Sequence, residues 1–241
     1  MFISNPFDNY YCPYINNYMY RSDSPSNQLS IRSKDIKSSN EKIKEDLRIP
    51  VIQGAIAPNI LQFINSNINN DIMEFKRQME EAAEENAERA EKNNQPINPY
   101  RISNIYVVTY NKNNILSLSL IYEQIINGRT YYTRTTYNYD IQSGRSLSVL
   151  DLFKPGINAK SLINTEIMKE LGTNPQKYFP GAINSFKGIA DDQPFYIDDT
   201  DLVLFFRFNE IAPAGTDIPT IRILLAKFKD SLKPQLLRWQ P

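Results

Sequence analysis

The side chains able to move protons in this chain are carboxylates, because there is no histidine and a single cysteine. Without histidine there is no Ser-His-Asp or Cys-His nucleophilic machinery, no His-based zinc site and no neutral-pH proton shuttle. Cys12, standing alone, forms neither an intramolecular disulfide nor a CxxC pair. The acidic residues in or beside the segments that read as sheet are Glu123, Asp140, Asp191, Asp192, Asp198, Asp199, Asp201 and Glu210. Glycoside cleavage needs two facing carboxylates at a defined separation, one of them with a raised pKa. No spacing here sets two of these face to face, and turn or surface roles account for all of them. The Asp191–Asp201 cluster offers oxygen ligands of the kind Ca²⁺ takes, but it lacks the regular D-x-D-x-D-G order of an EF-hand loop. A capped turn is the simpler reading. Neither a metal nor a cofactor is implied.

Charge narrows the partners. Lys+Arg and Asp+Glu both number 27, so the formal net charge is zero. A general binder of nucleic acid or of an anionic membrane would carry a cationic surplus. No window approaches the ~20 apolar residues of a membrane span. The opening MFISNPFDNYYCPYINNYMY has neither a basic n-region nor an apolar h-region. A natural start at Met1 therefore predicts a cytosolic or spore-associated protein, and a trimmed leader predicts the cell envelope.

The elements that must position these groups are organised around Phe195 to Leu225. Its apolar run, Leu202 to Phe206, lies between an acidic turn at 198–201 and a second break at Pro213, Gly215 and Pro219. A short apolar run bounded by turn residues reads as a strand covered on both faces, and Thr220–Leu225 reads as its hairpin partner. Upstream, residues 1–40 are rich in Asn, Tyr, Ser and Pro without helix or strand period, which predicts a disordered tail. Order is expected from Lys42, with a strand burying 43, 47, 49 and 51, confined by Pro50 to a sheet edge or a strand end.

A helix is predicted from Pro58 to Lys92, with an apolar stripe at Leu61, Ile64, Ile68, Ile72, Phe75 and Met79. Its Ala/Glu-rich end is expected to project into solvent. Then Arg101–Tyr110, Ile115–Ile126 and Arg129–Asp140 alternate as a meander, joined at Asn127-Gly128 by a two-residue turn. The Leu116, Leu118 and Leu120 face should lie under the helix. A second helix is expected at about 158–171, on Leu162, Ile163, Ile167, Met168 and Leu171, with Gly172 at its end. The fold class is α+β: mostly antiparallel sheet, with a long helix and a shorter one packed on one side. The domains read as 41–155 and 156–241, packed as one unit.

The block Glu210-Ile211-Ala212-Pro213-Ala214-Gly215, with Ile218-Pro219 and the strand after it, resembles a bacterial domain of unknown function found in lysozyme-sensing anti-sigma factors. Ser148 to Phe153 fits the same domain. Residues 43–147, with Ile64-Asn65-Ser66-Asn67-Ile68 on the helix, resemble the module that precedes it and that also opens some peptidoglycan deacetylases. The likeness implies the fold over residues 43 to 228. Membrane-tethered sensing and metal-dependent deacetylation are not implied, since no span and no His ligands are present.

These readings converge on a non-enzymatic binding module of the bacterial cell envelope or spore, recognising a protein (lysozyme-like) or cell-wall glycan. The alternatives are a carboxylate-dependent glycan hydrolase, or an assembly protein using the Tyr/Asn-rich tail. Tyr132 and Arg134 are the first candidates for partner binding, because tyrosine beside arginine is a frequent hot-spot composition and the even-numbered face of their strand is expected to meet solvent. Tyr178, Tyr196 and Glu210 are the others. For Glu210, a role in shaping the loop before the last strand is the competing reading.

Overall fold

The structure, a computed structural model, describes residues 29–207, 210–212 and 218–236. The Tyr/Asn-rich stretch up to residue 28, with Cys12, and loop residues 213–215 lie outside them. The architecture is α+β, built on a five-stranded sheet ordered β1-β2-β3-β4-β5 and a three-stranded sheet ordered β6-β7-β8.

The large sheet comprises β1 (Ser30–Ser39), β2 (Ile43–Gln53), β3 (Tyr100–Lys112), β4 (Ile115–Ile126) and β5 (Arg129–Asp140). Neighbours pair antiparallel except β2 and β3, which run parallel over Ile43–Asp46. A parallel pair needs a crossover, and α1 (Pro58–Lys92) supplies it. Its apolar stripe lies over one face: Ile64, Ile68 and Ile72 share a core with Leu116, Leu118 and Leu120, all at 0% exposure. The hairpin turn is as expected, with Asn127 at φ 51° and Gly128 at φ 76°.

Three expectations about this half are corrected. The tail does not run to residue 40, since β1 pairs along its whole length with β2. Most of its side chains are exposed and only Ile31 and Ile36 pack against the core, so edge pairing of the backbone is what makes it a strand. The helix end does not leave the protein either: Ala83 and Ala87 are each 1% exposed, small enough to let α1 lie close to the sheet. Finally, past Pro50 the buried position of β2 moves from 51 to Ile52.

Pro50 sits where its missing donor does no harm. β3 has already diverged, so on that side the backbone of β2 is met by side-chain amides. Asn104 accepts from the Arg48 N–H (2.6 Å) and donates to its carbonyl (2.9 Å). Asn65 does the same for Ile52, at 2.8 Å in both directions. Asn111 repeats the pattern on Leu29, at 3.1 and 2.7 Å. A carboxamide carries the donor and acceptor of a peptide group, so each asparagine substitutes for a missing strand.

The second core gathers α2 (Ala159–Thr173) and the inner face of the small sheet, β6 (Phe195–Ile197), β7 (Asp201–Phe205) and β8 (Thr220–Leu224). Asn158 caps α2 by accepting from the Ser161 N–H at 3.1 Å. Ile163, Ile167 and Leu171 are buried, whereas Leu162 (37%) and Met168 (47%) face solvent, contrary to the predicted stripe. Gly172 lies inside the helix, under Ile183. Leu202 to Phe206 are all buried, as the apolar run requires.

Candidate binding face at the junction of the two sheets

The face of the large sheet turned away from α1 carries polar side chains that are nonetheless buried: Ser117 (0%), Ser119 (2%) and Asn138 (5%). Ser117 and Asn138 meet the outer edge of β6, whose backbone no strand pairs among the described residues. The Asn138 amide donates to the Phe195 carbonyl at 2.8 Å, and the Ile197 N–H donates to Ser117 Oγ at 3.2 Å. Ser117 Oγ in turn donates to Asn138 Oδ1 at 2.6 Å. An edge strand buried without partners would cost the full desolvation of those groups, and this network removes that cost.

Beside the network opens a cleft of about 370 Å³, between Thr136 and Asn138 of β5, Ser148 and Asp151, and Asp192 and Gln193 ahead of β6. Asp151 is held on three sides. Its Oδ2 accepts from the Ser148 N–H (2.9 Å) and hydroxyl (2.8 Å), and its Oδ1 accepts from the Arg145 guanidinium (2.8 Å). Burial alone would raise its pKa, but the Ser148 donors and the Arg145 charge outweigh burial and hold the carboxyl below its ordinary value. Gln193 is pinned by the Ala190 N–H and by the Phe205 carbonyl, to which it donates. Phe195, the aromatic of the lining, is 3% exposed, so its ring is not offered to a ligand.

The structure does not gather the five sequence-derived candidates into one site. Arg134 and Asn138 were expected in solvent; instead the even-numbered face of β5 lies against the small sheet. The Arg134 guanidinium stacks 4.8 Å from the Phe205 ring centre, and Tyr196 packs on the same ring at 5.5 Å. Tyr196 also accepts from Arg222 at 3.3 Å, and Arg222 bridges Asp198 (2.5 Å) and Asp201 (2.9 Å). These residues hold the sheets together.

Tyr132 is half-buried and donates to Glu123 at 3.2 Å; burial, together with the Glu123 charge, pushes the phenol up to about 12. Tyr178 stands apart, bonded to Glu170 at 3.1 Å, with burial and that carboxylate raising its pKa. Glu210 accepts from the Arg207 N–H at 2.9 Å, as a loop-shaping residue would. It neighbours Ile211, whose carbonyl receives the Phe179 N–H, so Tyr178 and Glu210 belong to one corner and Arg134 and Tyr196 to another. The acidic turn is a capped one: Asp198 Oδ1 accepts from the N–H groups of Thr200 (2.9 Å) and Asp201 (2.8 Å).

Ser117, Asn138 and Asp151 were missed. Polar residues alternating on a strand read as a wet face unless a second layer is known to cover it. For Asp151 a signal existed, since Ser148-x-x-Asp151 has the capping-box spacing.

Residues 36–125 match the family model described as Deacetylase PdaC, and residues 150–223 match the one described as Protein of unknown function (DUF3298). The two matches stand in tandem. Among curated proteins nothing matches. Two crystal structures are similar to the tandem, each at 14% identity. One is a member of the DUF3298 family from Bacteroides fragilis NCTC 9343, with a TM-score of 0.66 over 87% of this chain and 96% of that one. The other is a DUF3298 family protein from Pseudomonas aeruginosa PAO1, with a TM-score of 0.57 over 90% and 99%. At this identity the likeness is one of fold. It places both halves of the tandem within a single known architecture.

Proposed function

We propose that the tandem is a non-enzymatic binding module of the bacterial cell envelope or spore, with a protein as its partner. The observation that carries this reading is the occupation of the carboxylates. Asp151, Asp198, Asp201 and Glu210 close turns or bind cations, Asp140 accepts from Gln142 and Ser143, Glu123 accepts from Ser103 and Tyr132, and Asp191 and Asp199 pair with Lys160 and Lys112. Groups so engaged serve the fold. A protein is favoured over cell-wall glycan because the cleft offers hydroxyls and amides but no exposed ring on which a sugar could stack. A lysozyme-like protein is the first candidate, from the resemblance of the second half to the domain of lysozyme-sensing anti-sigma factors.

The test measures binding of lysozyme to the immobilised chain by interferometry, and of the soluble chain to purified peptidoglycan sacculi by co-sedimentation. Saturable lysozyme binding that Asp192→Arg weakens at least tenfold supports the reading. Binding to sacculi alone replaces the protein with glycan, and binding to neither overturns it.

A hydrolase is the second reading, because Asp151 and Asp192 line one cleft. A general acid must hold its proton near neutral pH, and Asp151 is shifted the other way. Release of reducing sugar from sacculi that disappears in Asp192→Asn would establish it.

A further inference from the structure

The last turns of α1 form one wall of a second cleft, of about 330 Å³. Asn86, Arg89 and Asn93 stand three and four residues apart, so they share a face of the helix. Gln95 and Asn98, from the stretch that returns to β3, make the other wall, and Asn127 of the hairpin turn reaches the same space. Asn127 precedes β5, whereas the cleft beside Asp151 is lined by Thr136 and Asn138, toward the far end of that strand. The two clefts are separate.

The main chain at this helix end is already bonded. Asn94, at φ 52°, turns the chain back, and the carbonyls of Arg89, Ala90 and Glu91 accept from the N–H groups of Asn93, Asn94 and Gln95. The side chains are not. Among the described residues the carboxamides of Asn86, Asn93, Gln95, Asn98 and Asn127 take no bond. Arg89 Nε donates to the Glu85 carbonyl at 3.4 Å, and its two terminal nitrogens bond nothing among the described residues. No carboxylate lines the cleft, so nothing within it offsets the guanidinium charge.

Five amides and one guanidinium select a ligand. A carboxamide pairs with a peptide group through one N–H and one C=O. This protein makes that pairing three times on its own main chain, Asn104 on Arg48, Asn65 on Ile52 and Asn111 on Leu29. From Asn86 to Asn93 the helical wall rises about 10 Å, the reach of about three residues of extended chain. A guanidinium meets a carboxylate through two parallel bonds. A saccharide would call for a ring to stack on, and no aromatic side chain lines this cleft.

We propose that the cleft holds the C-terminal end of a partner polypeptide in extended form, its main chain between the two rows of amides and its terminal carboxylate on Arg89. Capture of a chain terminus is a recurring mode of peptide recognition. The contacts are to main chain and terminus, so small side chains suffice in the ligand.

The proposal goes beyond the binding reading, and its test uses neither lysozyme nor sacculi, so each can fail alone. Fluorescence anisotropy follows the full chain with tetra-alanine carrying an uncharged dye on its N-terminus, as the free acid and as the C-terminal amide. The free acid should bind saturably and the amide at least tenfold more weakly. Arg89→Gln should weaken the free acid at least tenfold and leave the two peptides alike, while Asn93→Ala with Asn98→Ala should weaken both. All three positions are exposed, so these variants should keep the native circular dichroism spectrum. Lys34→Gln, which removes a charge from exposed β1, should change nothing. No binding of the free acid, equal binding of the amide, wild-type binding by Arg89→Gln or by the double asparagine variant, or binding of dye-labelled chitotriose in place of the peptide overturns it.

Discussion

The side-chain amide of Asn138 donates to the main-chain carbonyl of Phe195 across 2.8 Å, and through that bond one sheet closes the open edge of the other. Asn138→Ala leaves the carbonyl and the Ser117 hydroxyl without this partner in a buried setting. The expected loss is about 1–3 kcal/mol of unfolding free energy by denaturant titration. A loss below about 0.5 kcal/mol would show that water replaces the amide and that the junction does not depend on it.

Leu118 is fully buried between Leu116 and Leu120 in the core under α1. Leu118→Ala should cost about 2–5 kcal/mol, since α1 and the sheet cannot close fully over the lost volume. The comparison is Leu162→Ala on exposed α2 surface, which should cost far less.

Gly128 stands at φ 76° with nothing within 4 Å of an added Cβ, so a side chain there meets backbone strain and no clash. Gly128→Val should destabilise by about 1–3 kcal/mol. Gly156, at φ 84° with equally open surroundings, is the control. A Gly128→Val chain with unchanged melting temperature would mean that the turn rearranges at no cost.

Asp151 has a folded-state pKa below its ordinary value. Its ionised form thus contributes stability that is fully present above the unfolded pKa of about 3.9 and is lost as pH falls through the lower folded value. Asp151→Asn should melt below wild type at pH 7, and the gap should close on acidification past that range. A gap independent of pH would mean that the loss is one of shape.

The parts of the fold legible from sequence are those whose burial has a period. Leu116, Leu118 and Leu120 alternate, Ile64, Ile68 and Ile72 recur every turn, and Asn127-Gly128 supplies the backbone freedom its turn needs. β1 was not legible, because most of its side chains are polar and exposed, and Ile31 and Ile36, five residues apart, mark no strand period. The candidate site was hidden for the opposite reason. Ser117 and Asn138 look like part of a wet face, and they are polar because what lands on them is the bare backbone of β6. Arg134 misled in the same way, since a guanidinium covering an aromatic ring has the composition of a hot spot while serving the protein's own interior.

The groups that close the outer edge of β6 all lie earlier in the chain than β6 itself. As the polypeptide leaves the ribosome, β3, β4 and β5 can pair with one another before Phe195 has been made. The strands that carry Ser117 and Asn138 are thus made before the strand whose edge they close. Synthesis in the native order is then part of how the junction assembles, because an N-terminal unit emerges and folds first. A circular permutant beginning at residue 150 would send β6 out with its edge uncovered, exposed to whatever other strand it met.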